Sequence, residues 1–296
     1  MVGAGDRMSA RCLAIALTAA LPGVANLVTT AAALAASPTH CDVAVPAGGT
    51  ALADAVASAK AGTRLCLAAG THAGGFAIDK SLTLLGIAGS DATTITGTPK
   101  TAVLRIDDDG LAVRLEGLTL SGGSNDAGGG LAINGRGKVD VTACRFTGNT
   151  AGMVGGGGLY ARAGLLNVSG CQFEGNSGRQ GGAIMLDQAL KATFTRCTLR
   201  DNRGELGGAL RVSEGVQVAF KATEIRKNVG QDGSCVRVSG TTSRKPNVVF
   251  DHCTIGDGQL INGPDITGYV AAKSSTLPAS WKAVHSLQLL GNNTLK

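Results

Sequence analysis

Apolar and polar residues alternate along most of this chain with the period of two that marks strands, in short runs broken by Gly or Asn. An 11-residue phrase recurs: aliphatic-x-aliphatic-x-x-Cys-x-aliphatic/Phe-x-x-Asn. One copy is Val139, Val141, Cys144, Phe146, Asn149; the next is Leu166, Val168, Cys171, Phe173, Asn176. Ala192, Phe194, Cys197, Leu199, Asn202 and Val218, Phe220, Thr223, Ile225, Asn228 follow, with worn copies around Leu118 and Cys253. The Cys positions are 26, 27, 26, 26 and 30 residues apart. Between copies runs a second phrase of Gly, a small residue and an aliphatic, as at Gly157-Gly158-Leu159 and Gly182-Ala183-Ile184.

Each repeat holds three short stretches of strand character and no segment patterned as a crossover helix. Strands that recur at this period without helices stack as a solenoid, with equivalent residues about 4.8 Å apart on successive rungs. Inward residues then form columns: Cys144, Cys171 and Cys197; Phe146, Phe173 and Leu199; and Asn149, Asn176, Asn202 and Asn228. Asn is expected in the left-handed conformation at its corner, its amide bonding the Asn of the next rung. The expected class is therefore all-β, a parallel solenoid of about 26-residue coils.

The phrases FTGN (146–149) and FEGN (173–176), paired with Gly-Gly-Ala-Ile (181–184), resemble the repeats of polymorphic outer-membrane proteins. More broadly, they resemble right-handed parallel β-helices of the pectin-lyase-like kind. The resemblance covers about residues 110–260 and implies the right hand. It extends toward the N-terminus through Cys41, an amphipathic segment, Cys66 and the strand-like LCLAAGTH and SLTLLG. The 38 residues after Gly258 are too few for a membrane-inserted autotransporter barrel, so self-translocation is not expected.

The ends follow from the same physics, because a stack of rungs exposes strand edges and core unless capped. Thr50 as N-cap before Ala51-Leu52-Ala53-Asp54-Ala55-Val56 predicts a short capping helix. Residues 1–36 read as a signal peptide: Arg7 and Arg11, an apolar run from Cys12 to about Val28, then Ala33-Leu34-Ala35. That leaves 37–65 as the N-terminal cap, 66–258 as the solenoid and 259–296, with the single Trp281, as an irregular C-terminal cap. No later segment has the uninterrupted apolar length to span a membrane as a helix.

Composition narrows the chemistry. Aromatics are 3 % of residues and charged groups 16 %, so the core rests on aliphatics and small residues and the chain is too apolar to be disordered. Formal charge is +6; without residues 1–36, which hold Arg7, Arg11 and Asp6, it is +5, too thinly spread for nucleic acid. Seven of the 8 Cys lie beyond residue 36. Cys41 and Cys66 flank the capping helix and suit a disulfide in an oxidising compartment. The pairing of Cys144, Cys171, Cys197, Cys235 and Cys253 is left open, between small buried hydrophobes and a Cys235–Cys253 bridge. Zinc spacings are missing.

If Leu131, Leu159, Ile184, Leu210 and Val236 point inward, their successors form outward columns: Ala132, Tyr160, Met185, Arg211, Arg237, and Asn134, Arg162, Asp187, Ser213, Ser239. The candidate ligand-binding strip is Tyr160, Arg162, Asp187, Arg211 and Arg237. Its arginines suit the carboxylate or sulfate groups of an extended acidic polysaccharide; the plainer alternative is a solvated face with a weak ion pair. Asp107, Asp108 and Asp109 form a candidate calcium cluster, as in pectate-lyase-type enzymes, or an ordinary turn before Gly110. The carboxylates of the repeats fall in different columns and do not converge as hydrolysis requires, so no catalytic residue is assigned. The expected role is a secreted or cell-surface binding or scaffold module without catalysis, with outer-membrane association as an alternative location. A polysaccharide lyase or glycosidase and an inert spacer are the rivals, and oligomeric state stays open.

Overall fold

A computed structural model of the chain describes residues 40–296, apart from 189, 232–233, 242, 257, 263–268 and 284–286. The expected signal peptide lies outside the described residues. Four sheets build a solenoid, the last of them confined to its middle: eleven strands from Val43–Val45 to Leu287–Leu290, ten from Gly70–Ala73 to Thr294–Leu295, eight from Phe76–Ala77 to Gln259–Asn262, and five from Ser124–Asn125 to Val229–Gly230. Pairing within them is parallel, each strand lying on its equivalent one coil away, as in Phe146↔Phe173↔Leu199.

One coil shows how the sequence bends. In Lys138–Thr142 the alternation buries Val139 and Val141 and turns Lys138 outward. Ala143 then enters the left-handed region at φ 51°, which redirects the chain so that Cys144 and Phe146 point inward. A second left-handed residue, Gly148 at φ 62°, precedes Asn149 and a third short strand, Thr150–Ala151. A glycine-rich loop leads to Leu159–Ala161, and the next coil opens at Gly164–Ser169.

The left-handed residue is thus the one before the Asn, not the Asn itself: Gly148, Gly175, Asp201 and Lys227 hold positive φ. The Asn side chains do different work. Asn149 Nδ2 donates to Asn176 Oδ1 at 3.1 Å, Asn176 Nδ2 to Asn202 Oδ1 at 3.0 Å, and Asn202 Nδ2 to Asn228 Oδ1 at 2.9 Å. Each of those acceptors also takes the backbone N–H of the preceding Asn. The amide ladder holds a corner whose non-Gly left-handed residues cost roughly 1–2 kcal/mol each.

The Cys column runs on the same principle. Cys144 N–H donates to Cys171 Sγ (3.3 Å), Cys197 N–H to Thr223 Oγ1 (3.4 Å) and Cys253 N–H to Ser275 Oγ (3.0 Å). That explains why Thr and Ser substitute for Cys here: the position needs a small side chain carrying an acceptor. Cys144, Cys171, Cys197, Cys235 and Cys253 are all buried and none is in a disulfide, so the Cys235–Cys253 alternative is not the one the structure takes.

Between the columns lies an aliphatic core threaded by aromatic stacks, Phe146 on Phe173 (4.6 Å) and Phe194 on Phe220 on Phe250 (4.9 and 5.2 Å). The helix Ala51–Ser58 (α1) covers the N-terminal end with Leu52 and Val56 buried. The Thr50 hydroxyl bonds the Asp54 carboxylate at 2.7 Å rather than a backbone N–H. A disulfide joins Cys41 to Cys66, tying the first rung to the second. Residues 259–296 contribute strands Gln259–Asn262, Tyr269–Lys273, Thr276–Leu277, Leu287–Leu290 and Thr294–Leu295, with a 3-10 turn at Ala279–Ala283. That turn buries Trp281 edge-on against Phe250 (5.7 Å), its Nε1 donating to Gly258 O.

Candidate functional site

The outer face of the eight-stranded sheet carries the five strip residues on successive rungs. Pairing puts Ala132 beside Tyr160, Tyr160 beside Met185, Met185 beside Arg211 and Arg211 beside Arg237. Arg162 and Asp187 follow the inward Ala161 and Leu186 on neighbouring rungs, and so stand next to one another in the second column.

The face is not an open one. Tyr160 and Met185 are only 6 % and 5 % exposed. The glycine loops that enter each strand lie against it: a Cβ at Gly128 would stand 2.9 Å from Tyr160 Cβ, and one at Gly156 2.3 Å from Met185 N. Glycine at these positions lets backbone close over the strip and turns it into a furrow. Alternation shows which side of a sheet a residue faces, not what lies over that side.

Within the furrow the residues act on one another. Tyr160 Oη lies 3.5 Å from Asp187 Oδ2. Burial, reinforced by the Asp187 charge, pushes the Tyr160 pKa up, while Arg162 opposes the shift. Burial first and Arg237 second push Arg211 below its ordinary value, with Asp187 opposing. The Arg211 guanidinium donates through Nη1 to Gln180 Oε1 and through Nη2 to Ser239 Oγ (3.4 Å), and its Nε is buried without a partner. Asp187 Oδ1 takes the Gln188 N–H at 2.9 Å. Arg162 is exposed and, among the described residues, has no ion-pair partner. Gln180 escaped sequence reasoning because it sits in a loop outside the strand phrases; its one signal is its place directly before the Gly181-Gly182 pair.

Asp107, Asp108 and Asp109 form an exposed turn closed by Gly110 at φ 78°. Asp107 Oδ1 accepts from Asn134 Nδ2 (2.7 Å), its Oδ2 faces Arg105 Nε (3.4 Å), and Asp109 Oδ1 accepts the Arg136 N–H (2.6 Å). Among the described residues no group of three His, Cys, Asp or Glu is placed to hold a metal ion. Asp107 and Asp109 stitch the turn to the next rung.

Four parallel sheets wound into coils define a parallel β-solenoid, with Tyr160, Arg162, Asp187, Arg211 and Arg237 set along one outer face. The right-handed β-helix region family matches residues 88–276, and the chain belongs to that family. No curated protein matches the sequence. Similar solved structures include the pectin methylesterase of Aspergillus niger (17 % identity, 88 % of this chain and 87 % of that one, TM-score 0.43). Another is pectin methylesterase from carrot (14 %, 88 % and 84 %, TM-score 0.46). A third is pectin methylesterase PemA from Erwinia chrysanthemi (15 %, 86 % and 81 %, TM-score 0.42). At these identities the likeness is one of fold.

Proposed function

We propose that this protein is an exported, non-catalytic module that binds an extended anionic polysaccharide along the furrow of the eight-stranded sheet. The observation that carries the reading is the charge pattern among the described residues: Arg162, Arg211 and Arg237 lie along the same face as the carboxylate of Asp187, which is itself engaged by Tyr160 and the Gln188 N–H. A polymer with one carboxylate or sulfate per sugar repeats on nearly the same scale as the rungs, about 4.8 Å apart. Arginine's fork then offers each acid group two donors. Hydrolysis of a glycosidic bond ordinarily needs a pair of carboxylates, and the five-residue cluster contains one. The Cys41–Cys66 disulfide suits an oxidising compartment.

Full-length protein should be titrated by calorimetry with polygalacturonate and a sulfated glycan, against uncharged dextran, with and without calcium. The expected result is binding of the anionic polymers that weakens as salt rises and falls at least tenfold in Arg162→Ala/Arg237→Ala. Ultraviolet absorbance of unsaturated products is followed in parallel. Turnover that disappears in Arg211→Ala would overturn the non-catalytic reading in favour of a lyase, and failure to bind either anionic polymer would leave an inert spacer.

A further inference from the structure

The two ends of the solenoid are finished differently. At the N-terminal end α1 lies over the first rungs, and Val45, Leu52 and Val56 are buried beneath and within it. At the C-terminal end the inward columns run out into solvent. Leu289 pairs with Ala272 and so extends the column Phe194, Phe220, Phe250, Ala272, yet it is 42 % exposed. Leu287 extends the neighbouring column Val218, Val248, Val270 and is half-buried, as is Leu295 on the edge of the ten-stranded sheet. Leu290, on the outward side, is 43 % exposed. Among the described residues Leu287–Leu290 pairs with Tyr269–Lys273 on one side and with no strand on the other.

An open strand edge invites a further strand, and natural sheets defend it with Lys, Pro, a bulge or a covering segment. Leu287-Gln288-Leu289-Leu290 carries no charge and no proline, and it pairs in unbroken register. Inward leucines left in water beside an undefended edge describe one half of a strand pair. The missing half must bring an extended backbone with apolar side chains at alternate positions, which is what another rung of this solenoid brings. A second copy offers it through its own C-terminal edge, since α1 covers the core at the other end.

The edge is self-complementary. A twofold axis normal to the eleven-stranded sheet keeps the inward sides together. Passing through Gln288, it sets Leu287 of each copy opposite Leu289 of the other. Opposed residues of antiparallel strands share a face with Cβ atoms about 5 Å apart, so the inward leucines cover one another. Gln288 meets its own equivalent on the outward side, where two uncharged amides face each other. Lys273 lies one strand back. Three strand spacings, about 14 Å, part it from its equivalent, beyond the screening length of about 10 Å at 0.1 M salt. Because the same patch serves both copies, the contact closes at two and does not propagate.

We propose that the C-terminal edge is a dimer interface, at which two copies of this chain meet tail to tail and join their eleven-stranded sheets through antiparallel Leu287–Leu290 strands. The proposal stands apart from the polysaccharide reading. Sedimentation equilibrium of the full chain should give twice the protomer mass. Leu289→Lys, at an exposed position, should weaken the dimer roughly thirtyfold or more and leave the circular dichroism spectrum unchanged. Gln288→Cys should form an intermolecular disulfide under mild oxidation, read on a non-reducing gel, because a cysteine on the axis faces its own equivalent. Arg145→Cys, on the surface of a middle rung, should not. If Leu289→Lys fails to fold, the cross-link decides alone. A wild type that is monomeric at every concentration overturns the proposal, as do a dimer indifferent to Leu289→Lys, oligomers that keep growing with concentration, or Gln288→Cys that stays uncross-linked.

Discussion

Replacing Asn176 with Ala probes the stacking directly. The side chain is buried and makes four hydrogen bonds: Oδ1 accepts the Asn149 N–H and Nδ2 at 3.1 Å each, while Nδ2 donates to Phe146 O (2.9 Å) and Asn202 Oδ1 (3.0 Å). Alanine strands the Asn149 N–H, a buried donor worth about 1–3 kcal/mol when unsatisfied, and forfeits further bonds of roughly 1 kcal/mol each. The expected cost is about 3 kcal/mol. Arg145→Ala serves as the control: its partner is the exposed Asp91, and exposed pairs contribute about 0–1 kcal/mol. Chemical denaturation followed by circular dichroism measures both. Asn176→Asp adds a pH test, since its carboxylate would face the acceptors Phe146 O and Asn202 Oδ1. That environment raises the folded-state pKa, so the variant's deficit should shrink as pH falls toward about 4 and grow above it. Losses at Asn176 and Arg145 that are equal, or a loss under about 1 kcal/mol at Asn176, would refute the argument.

Three further outcomes are expected. Burial pushes the thiols of Cys197 and Cys253 from about 9 up to about 11, so they hold their protons when folded while the unfolded chain loses them. Stability should therefore fall between about pH 9 and 11, by roughly 1.4 kcal/mol per pH unit per thiol, and Cys197→Ser/Cys253→Ser should flatten that fall in urea titrations. Cys41→Ala/Cys66→Ala should cost about 3–4 kcal/mol, because the bridge closes a loop with a separation of 25 residues; denaturation midpoints under non-reducing conditions report it. Phe220→Ala, in the middle of a three-ring stack, should cost about 3–5 kcal/mol by the same assay.

Much of the fold is legible in the residues because a solenoid repeats its decisions. Four copies of the Cys and Asn positions set the coil length and mark the inward columns, and the amide ladder follows from Asn recurring at one corner. The corner conformation was not legible: Ala143, Arg196, Ala222 and His252 take positive φ, though none is a usual choice for it, because the ladders on either side hold the backbone there. Membership of the strip could be read from the pairing of strands. Its depth could not, since closure over Tyr160 and Met185 comes from Gly128 and Gly156 in loops that share no strand period. Gln180 is illegible for the same reason, as it belongs to a loop tip whose direction only the packed coil defines.

The most direct measurement is a crystal structure of the protein soaked with an oligogalacturonate. The account predicts a ligand lying along the solenoid axis on the eight-stranded face, its carboxylates on Arg162, Arg211 and Arg237, with every glycosidic bond intact. A chain lying across the rungs, seated on another face, or cleaved would contradict it.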